Sequence, residues 1–200
     1  MPPPPQQERS RRKRDALQAA ALEVFEERGF DAATLEEIAR RAGVATGGFY
    51  MHFRSKRQVL LVLMDRLLGE MDALAVVEVP AGAERAVAAG LVHVALRVDR
   101  AYAGAYRAWR EASAGDPELA RLDARVDEWS AERMAGLLRL LLRSPDARSD
   151  VDPDTTAWIL SSLFWRLTEA RLDGLEAVEA ALAHLVERAL FRDEPASPET

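Results

Sequence analysis

The stretch TLEEIARRAGVATGGFYMHFRSKRQVL, residues 34–60, packs two helix starts and a glycine turn into a short span. Thr34-Leu35-Glu36-Glu37 has the pattern of a capping box. In such a box the threonine hydroxyl accepts the amide of the third helical residue, and the glutamate reaches back to the cap. A helix therefore begins at Thr34, carries Leu35, Ile38 and Ala39 inward, and ends before Gly43. A very short helix follows over about residues 45–52. Ser55-Lys56-Arg57-Gln58 is a second capping box, opening a long helix that continues to the region before Pro80. Two helices joined by a tight glycine-containing turn form the layout of a helix-turn-helix.

Spacing sorts the faces of the short helix. Phe49 and Phe53 are four apart and share one side, with Val44 just ahead of it, so they turn toward Ile38 and Phe25. Thr46, Gly47 and Tyr50 fall on the other side, where a recognition helix meets a DNA groove. A threonine can hydrogen-bond a base edge and touch a thymine methyl with its own methyl. Tyr50 and His52 offer phosphate-reaching donors on short, stiff side chains. Lys56 stands in the first turn of the next helix, where the helix dipole disfavours a cation; a phosphate at that helix end would justify the placement. Gly47 and Gly48 each cost about 1 kcal/mol of helix propensity relative to alanine. Either their missing side chains let the backbone come close to a groove, or they begin the helix irregularly at a turn.

Together these residues resemble the DNA-binding signature of the TetR family of bacterial transcriptional repressors. A threonine-capped helix, an A-G-V turn, a short helix ending in Y-x-x-F and an S-K capped helix follow in the family's order. The resemblance covers about residues 10–60 and is specific as a combination. It implies phosphate contacts from Thr34, Tyr50, His52 and Lys56, and base or groove contacts from Thr46, Gly47 and Gly48. Two positions depart from the pattern. Ala45 stands where the family usually has serine, so the recognition helix lacks its hydroxyl cap, and Met51 stands where a polar or aromatic residue is common.

The remainder of the chain reads as helix throughout. Alanine, leucine, glutamate and arginine dominate, alternating β-branched runs are missing, and 48% of residues are apolar, enough for a proper core. Helices are expected at about 10–28, 82–99, 101–113, 117–143, 153–172 and 175–192, with Gly29 and Gly174 as stops. Asp116-Pro117 and Asp152-Pro153 each supply an acidic N-cap followed by proline at the first helical position. The expected fold is all-α with about nine helices, an N-terminal three-helix helix-turn-helix domain joined to a larger bundle for ligand binding and dimerisation. Its expected divisions are an arm at 1–9, the DNA-binding domain at 10–55, the bundle at 56–193 and a tail at 194–200.

Charge is polarised along the chain. Net charge is −6, yet residues 1–57 hold 11 Lys and Arg against 8 Asp and Glu, while residues 58–200 hold 16 against 25. One end can therefore face a polyanion while the other stays away from it. The absence of cysteine removes disulfides and thiolate chemistry. His52, His93 and His184 have no metal-ligand spacing, and no nucleophile-elbow, P-loop or dinucleotide motif occurs. The carboxylates of ELARLDARVDEW, residues 118–129, alternate with arginines as on a solvated face. No catalytic residue, metal or cofactor is expected, and the chain reads as a non-enzyme. Neither a signal peptide nor a membrane span is expected, so the expected location is the cytoplasm and no membrane partner is assigned.

Aromatic residues mark the candidate ligand site. Tyr102, Tyr106 and Trp109 recur at i, i+4, i+7, and Trp129, Phe164 and His93 lie on other helices of the bundle. Trp158, Leu163 and Trp165, with Leu182 and Leu185 on the last helix, exceed what one helix pair can bury and are expected to pair with a second copy. The reading is a homodimeric repressor that binds a palindromic operator in double-stranded DNA and is released by a small, largely apolar effector. The alternative is a helical-bundle small-molecule-binding protein or enzyme with a non-functional basic arm.

Overall fold

The computed structural model describes residues 6–75, 79–169 and 175–192. The expected stop at Gly174, the whole of the tail and the first five residues of the arm lie outside them. Eight helices run through the described residues: α1 Gln6–Ala32, α2 Leu35–Arg41, α3 Thr46–Tyr50, α4 Lys56–Ala75, α5 Glu84–Gly115, α6 Pro117–Leu141, α7 Pro153–Glu169 and α8 Leu175–Leu190. Among the described residues no strand forms; a single bridge pairs Ala147 with Phe191.

Local chemistry accounts for most of these limits. The Asp116 carboxylate accepts the amides of Glu118 at 2.9 Å and Leu119 at 3.3 Å, starting α6. Asp152 accepts the Thr155 amide at 2.8 Å and starts α7. Each carboxylate satisfies donors that the first helical turn leaves free. Two expectations are corrected. Residues 6–9 are the first turn of α1 rather than an arm. The helices expected at 82–99 and 101–113 are one, because no proline interrupts α5 and Gly104 remains helical within it.

Two compact units divide the chain, and neither matches a single cut at residue 55. The first comprises the residues up to Gly69 together with 99–124; the second comprises 70–98 and the residues from 125 on. The start of α4, the C-terminal half of α5 and the first turns of α6 thus belong with the helix-turn-helix. Gly104 makes this packing possible: a Cβ there would lie 2.8 Å from Glu26 Cβ, 2.9 Å from Glu26 N, and closer still to the Leu22 carbonyl oxygen of α1. The core of this unit is built on Leu17, Val24, Phe25, Ile38, Phe49 and Phe53, all buried.

The second unit buries Ala88, Leu138, Ala157, Leu182 and Leu190 in one cluster. Arg85 fastens its C-terminal end. Its guanidinium donates to Asp146 Oδ2 at 2.7 and 3.1 Å, to Glu187 Oε1 at 2.7 Å and to the Arg192 carbonyl at 2.7 Å. The same group lies 5.0 Å from the Phe191 ring centre.

Candidate nucleic-acid interface

Gly29, with φ of 76°, interrupts α1 in the left-handed region that favours glycine. The backbone released there is held from both sides. Glu111 of α5 accepts the amides of Phe30 at 2.6 Å and Asp31 at 3.1 Å. From α4, Lys56 Nζ donates to the carbonyls of Phe30, Asp31 and Ala33 at 2.6, 3.0 and 3.1 Å, and sits 4.6 Å from the Phe30 ring centre. An ammonium has three donors, and all three are committed to the chain itself. Lys56 therefore brackets the segment leading into α2, which corrects its expected role as a phosphate donor.

Thr34 caps α2 as its spacing predicts, its hydroxyl accepting the Glu37 amide at 3.2 Å. The other half of that box does not form. Glu37 turns instead to Arg28 at 3.0 Å and Arg41 at 3.4 Å, because guanidinium groups hold a carboxylate more strongly than one neutral amide does. Arg41 also takes Glu27 in two parallel bonds of 2.7 and 2.8 Å, which hold the Glu27 carboxyl below its usual range. At the start of α4, Ser55 Oγ accepts the Gln58 amide at 3.2 Å, whereas Gln58 Oε1 reaches one residue further back, to the Arg54 amide at 2.7 Å.

Gly43, with φ of 68°, makes the turn; its amide donates to the Arg40 carbonyl at 3.2 Å, and Val44 N donates to the Ala39 carbonyl at 3.0 Å. The helix that follows, α3, is shorter than expected. Ala45 gives it no side-chain cap, and the Ala45 carbonyl accepts Gly48 N at 2.7 Å and Phe49 N at 3.3 Å. Phe49 and Phe53 are buried with ring centres 5.8 Å apart, anchoring the helix from beneath. Thr34, Thr46 and Gly47 are exposed, Tyr50 is 54% exposed and Met51 84%, while Gly48 and His52 are half-buried.

The two glycines of α3 are not required by the fold. Neither has a positive φ. A Cβ at Gly47 would meet nothing within 4 Å, and one at Gly48 would make only an ordinary contact, 3.6 Å from Val44 Cβ. Alanine at either position would favour the helix by up to about 1 kcal/mol.

Residues 17–63 match the family model described as bacterial regulatory proteins, tetR family. Over that stretch the chain is similar to the TetR family. It is 37% identical over 99 residues to the HTH-type transcriptional regulator BetI of Rhizobium meliloti, covering 48% of each chain. Over 54 residues it is 46% identical to the HTH-type transcriptional activator FasR of Mycolicibacterium smegmatis, covering 27% of this chain and 25% of that one. The matched stretches thus span about half or less of these curated relatives. The fold extends further: a TetR-family regulator from Rhodococcus RHA1 aligns over 91% of this chain and 98% of its own, with a TM-score of 0.70 at 18% identity.

The second unit contains an apolar cavity of about 140 Å³. Trp129 and Phe164 line it, together with Leu91, Met134, Leu137 and Leu160. The other expected ligand residues lie elsewhere. Tyr102, Tyr106 and Trp109 are buried in the first unit, where the Trp109 indole donates to Asp123 at 2.7 Å. They share the half of α5 that packs on α1, so their stripe is core. His93 is exposed on α5 and pairs with Glu179 of α8.

Of the expected dimer residues, Trp165 and Leu182 turn inward and line the cavity, whereas Trp158, at 65% exposed, Leu163 and Leu185, at 60%, face outward. Ile159 is exposed beside Trp158. Two lining residues escaped the sequence reading. Ser161 Oγ and Arg133 Nε are buried with no hydrogen-bond partner among the described residues. Each such group costs about 1–3 kcal/mol when left unsatisfied. No sequence motif or spacing singles out Arg133 or Ser161; only their placement on an otherwise apolar lining sets them apart.

Proposed function

We propose that this protein is a homodimeric transcriptional repressor that binds a palindromic operator and is released by a small, largely apolar ligand. One observation carries the DNA-binding reading: α3 exposes Thr46 and Tyr50 opposite its buried phenylalanines, and carries two glycines that no internal contact requires. Backbone bare of side chains on an exposed helix allows close approach to a groove floor, with Thr46 reading base edges and Thr34, Tyr50 and His52 reaching phosphates. Lys56 acts one step back, holding the carbonyl beside Thr34 and so fixing where that cap is presented.

Dimerisation is assigned to Trp158, Ile159 and Leu163 of α7 and Leu185 of α8. These large apolar groups stand exposed on helices whose opposite sides share one core, and a second copy would cover them. A dimer would set two recognition helices into successive major grooves about 34 Å apart. The cavity of the second unit supports the effector, which shifts DNA affinity only through its preference for one of two head spacings.

The test uses the full chain and an operator duplex selected by the wild-type protein from random-sequence DNA, read by fluorescence anisotropy. Binding should weaken steeply as salt rises. Tyr50→Phe should lower affinity across all duplexes, and Thr46→Val should change sequence preference. A flat salt response together with two silent substitutions refutes the reading and favours a ligand-binding bundle.

A further inference from the structure

We propose that the cavity of the second unit takes a compact, uncharged, mostly apolar molecule carrying a carbonyl-type hydrogen-bond acceptor, with Ser161 and Arg133 as its donors. This deepens the reading of that unit as effector-binding and rests on it. Size sets the first limit. A cavity of about 150 Å³ lined by aliphatic and aromatic side chains accepts a benzene-sized guest, and this one is about 140 Å³. A single ring or an equivalent aliphatic group therefore fits it.

Polarity sets the second limit. The lining is aliphatic and aromatic apart from Ser130, Ser161 and Arg133. Ser161 is 8% exposed, and its hydroxyl has no partner among the described residues; nor has the buried Nε–H of Arg133. Both can donate, and an arginine can only donate. Native proteins rarely leave buried polar groups unpaired, and in a cavity wall a bound molecule is the natural partner. A pure hydrocarbon would leave both unsatisfied.

Charge sets the third. The Arg133 guanidinium pairs with Asp72 of α4 and lies 6.0 Å from the Trp129 ring centre, so its charge is already balanced. A ligand carboxylate would have to leave water for a guanidinium already paired with Asp72, with no further cation among the lining residues. A carbonyl oxygen accepts from Ser161 Oγ–H or Arg133 Nε–H without that cost.

Calorimetric titration of the full chain with acetophenone, ethylbenzene and benzoate separates these limits, since the three differ little in size. Acetophenone should bind about fivefold more tightly than ethylbenzene, the worth of one net hydrogen bond, and benzoate more weakly than either. Ser161→Ala should bring acetophenone down toward ethylbenzene and leave ethylbenzene unchanged. Ethylbenzene binding as tightly as acetophenone, benzoate binding tightest, or no binding by any of the three overturns the inference; this wild-type ranking holds whether or not the variant folds. Acetophenone binding in the expected order without altering affinity for the selected duplex would keep the cavity chemistry and overturn the regulatory reading instead.

Discussion

Replacing Gly47 by alanine should stabilise the protein and impair its binding to DNA, two effects of opposite sign from one methyl group. The structure gives the first sign. Gly47 lies in α3 without a positive φ, and a Cβ there meets nothing within 4 Å, so the substitution adds helix propensity without a clash. In a helix interior that gain is about 1 kcal/mol; at the second residue of a five-residue helix about half is expected, or roughly 1–2 °C in Tm for a chain of this size. The second sign follows from exposure. The new methyl would stand on the outward face with Thr46 and Tyr50, holding the backbone away from a groove floor and weakening the contacts of both neighbours. About a tenfold loss of affinity, near 1.4 kcal/mol, is expected. Circular-dichroism melts and anisotropy titrations against the selected duplex, in one buffer, measure both. Unchanged or tighter DNA binding refutes the close-approach role of the glycine. A lower Tm refutes the claim that the fold leaves this position open.

Gly104→Ala should do the reverse to stability, lowering it by about 1–3 kcal/mol in urea unfolding despite better helix propensity, because its Cβ would overlap the backbone of α1 at Leu22 and Glu26. Lys56→Met removes three hydrogen bonds to carbonyls but keeps the stem; the melt should shift downward while the slope of log affinity against log salt stays unchanged. A slope shallower by about one unit would instead return Lys56 to the phosphates. Trp158→Glu with Leu185→Glu should yield monomers by light scattering and abolish operator binding, with little change in helix content. Acid should destabilise the protein through its capped aspartates. The Glu118 amide holds the Asp116 carboxyl below its ordinary value of 3.8, and the Ser144 hydroxyl with Arg85 does the same for Asp146. Carboxyls lowered in the folded state contribute their stability above the unfolded value and lose it as pH falls through the folded one. Unfolding midpoints should therefore drop below about pH 4, and Asp146→Asn should flatten that drop.

Residues 34–60 disclosed the helix-turn-helix because every signal in it is local: a hydroxyl one turn from the amide it caps, a glycine where φ is positive, two phenylalanines four apart. Interactions that close within a few residues depend on little else, so Thr34, Gly43, Phe49 and Phe53, and the aspartate caps of α6 and α7, were legible before any fold was known. The partners of Lys56 and Glu37 were not. Both sit in capping-box patterns whose spacing is satisfied, yet each side chain found stronger groups delivered by packing: carbonyls at the kink of α1, and Arg28 and Arg41. The same limit separates the aromatics. Tyr102, Tyr106 and Trp109 have the spacing of a pocket wall, but the approach permitted by Gly104 turns that half of α5 into core, while Ser161 and Arg133, unremarkable in sequence, end on the cavity. Periodicity tells which side of a helix is apolar. Which neighbour covers that side, and where a gap is left between them, depends on side-chain volumes summed over helices far apart in the chain, and only the tertiary structure carries that sum.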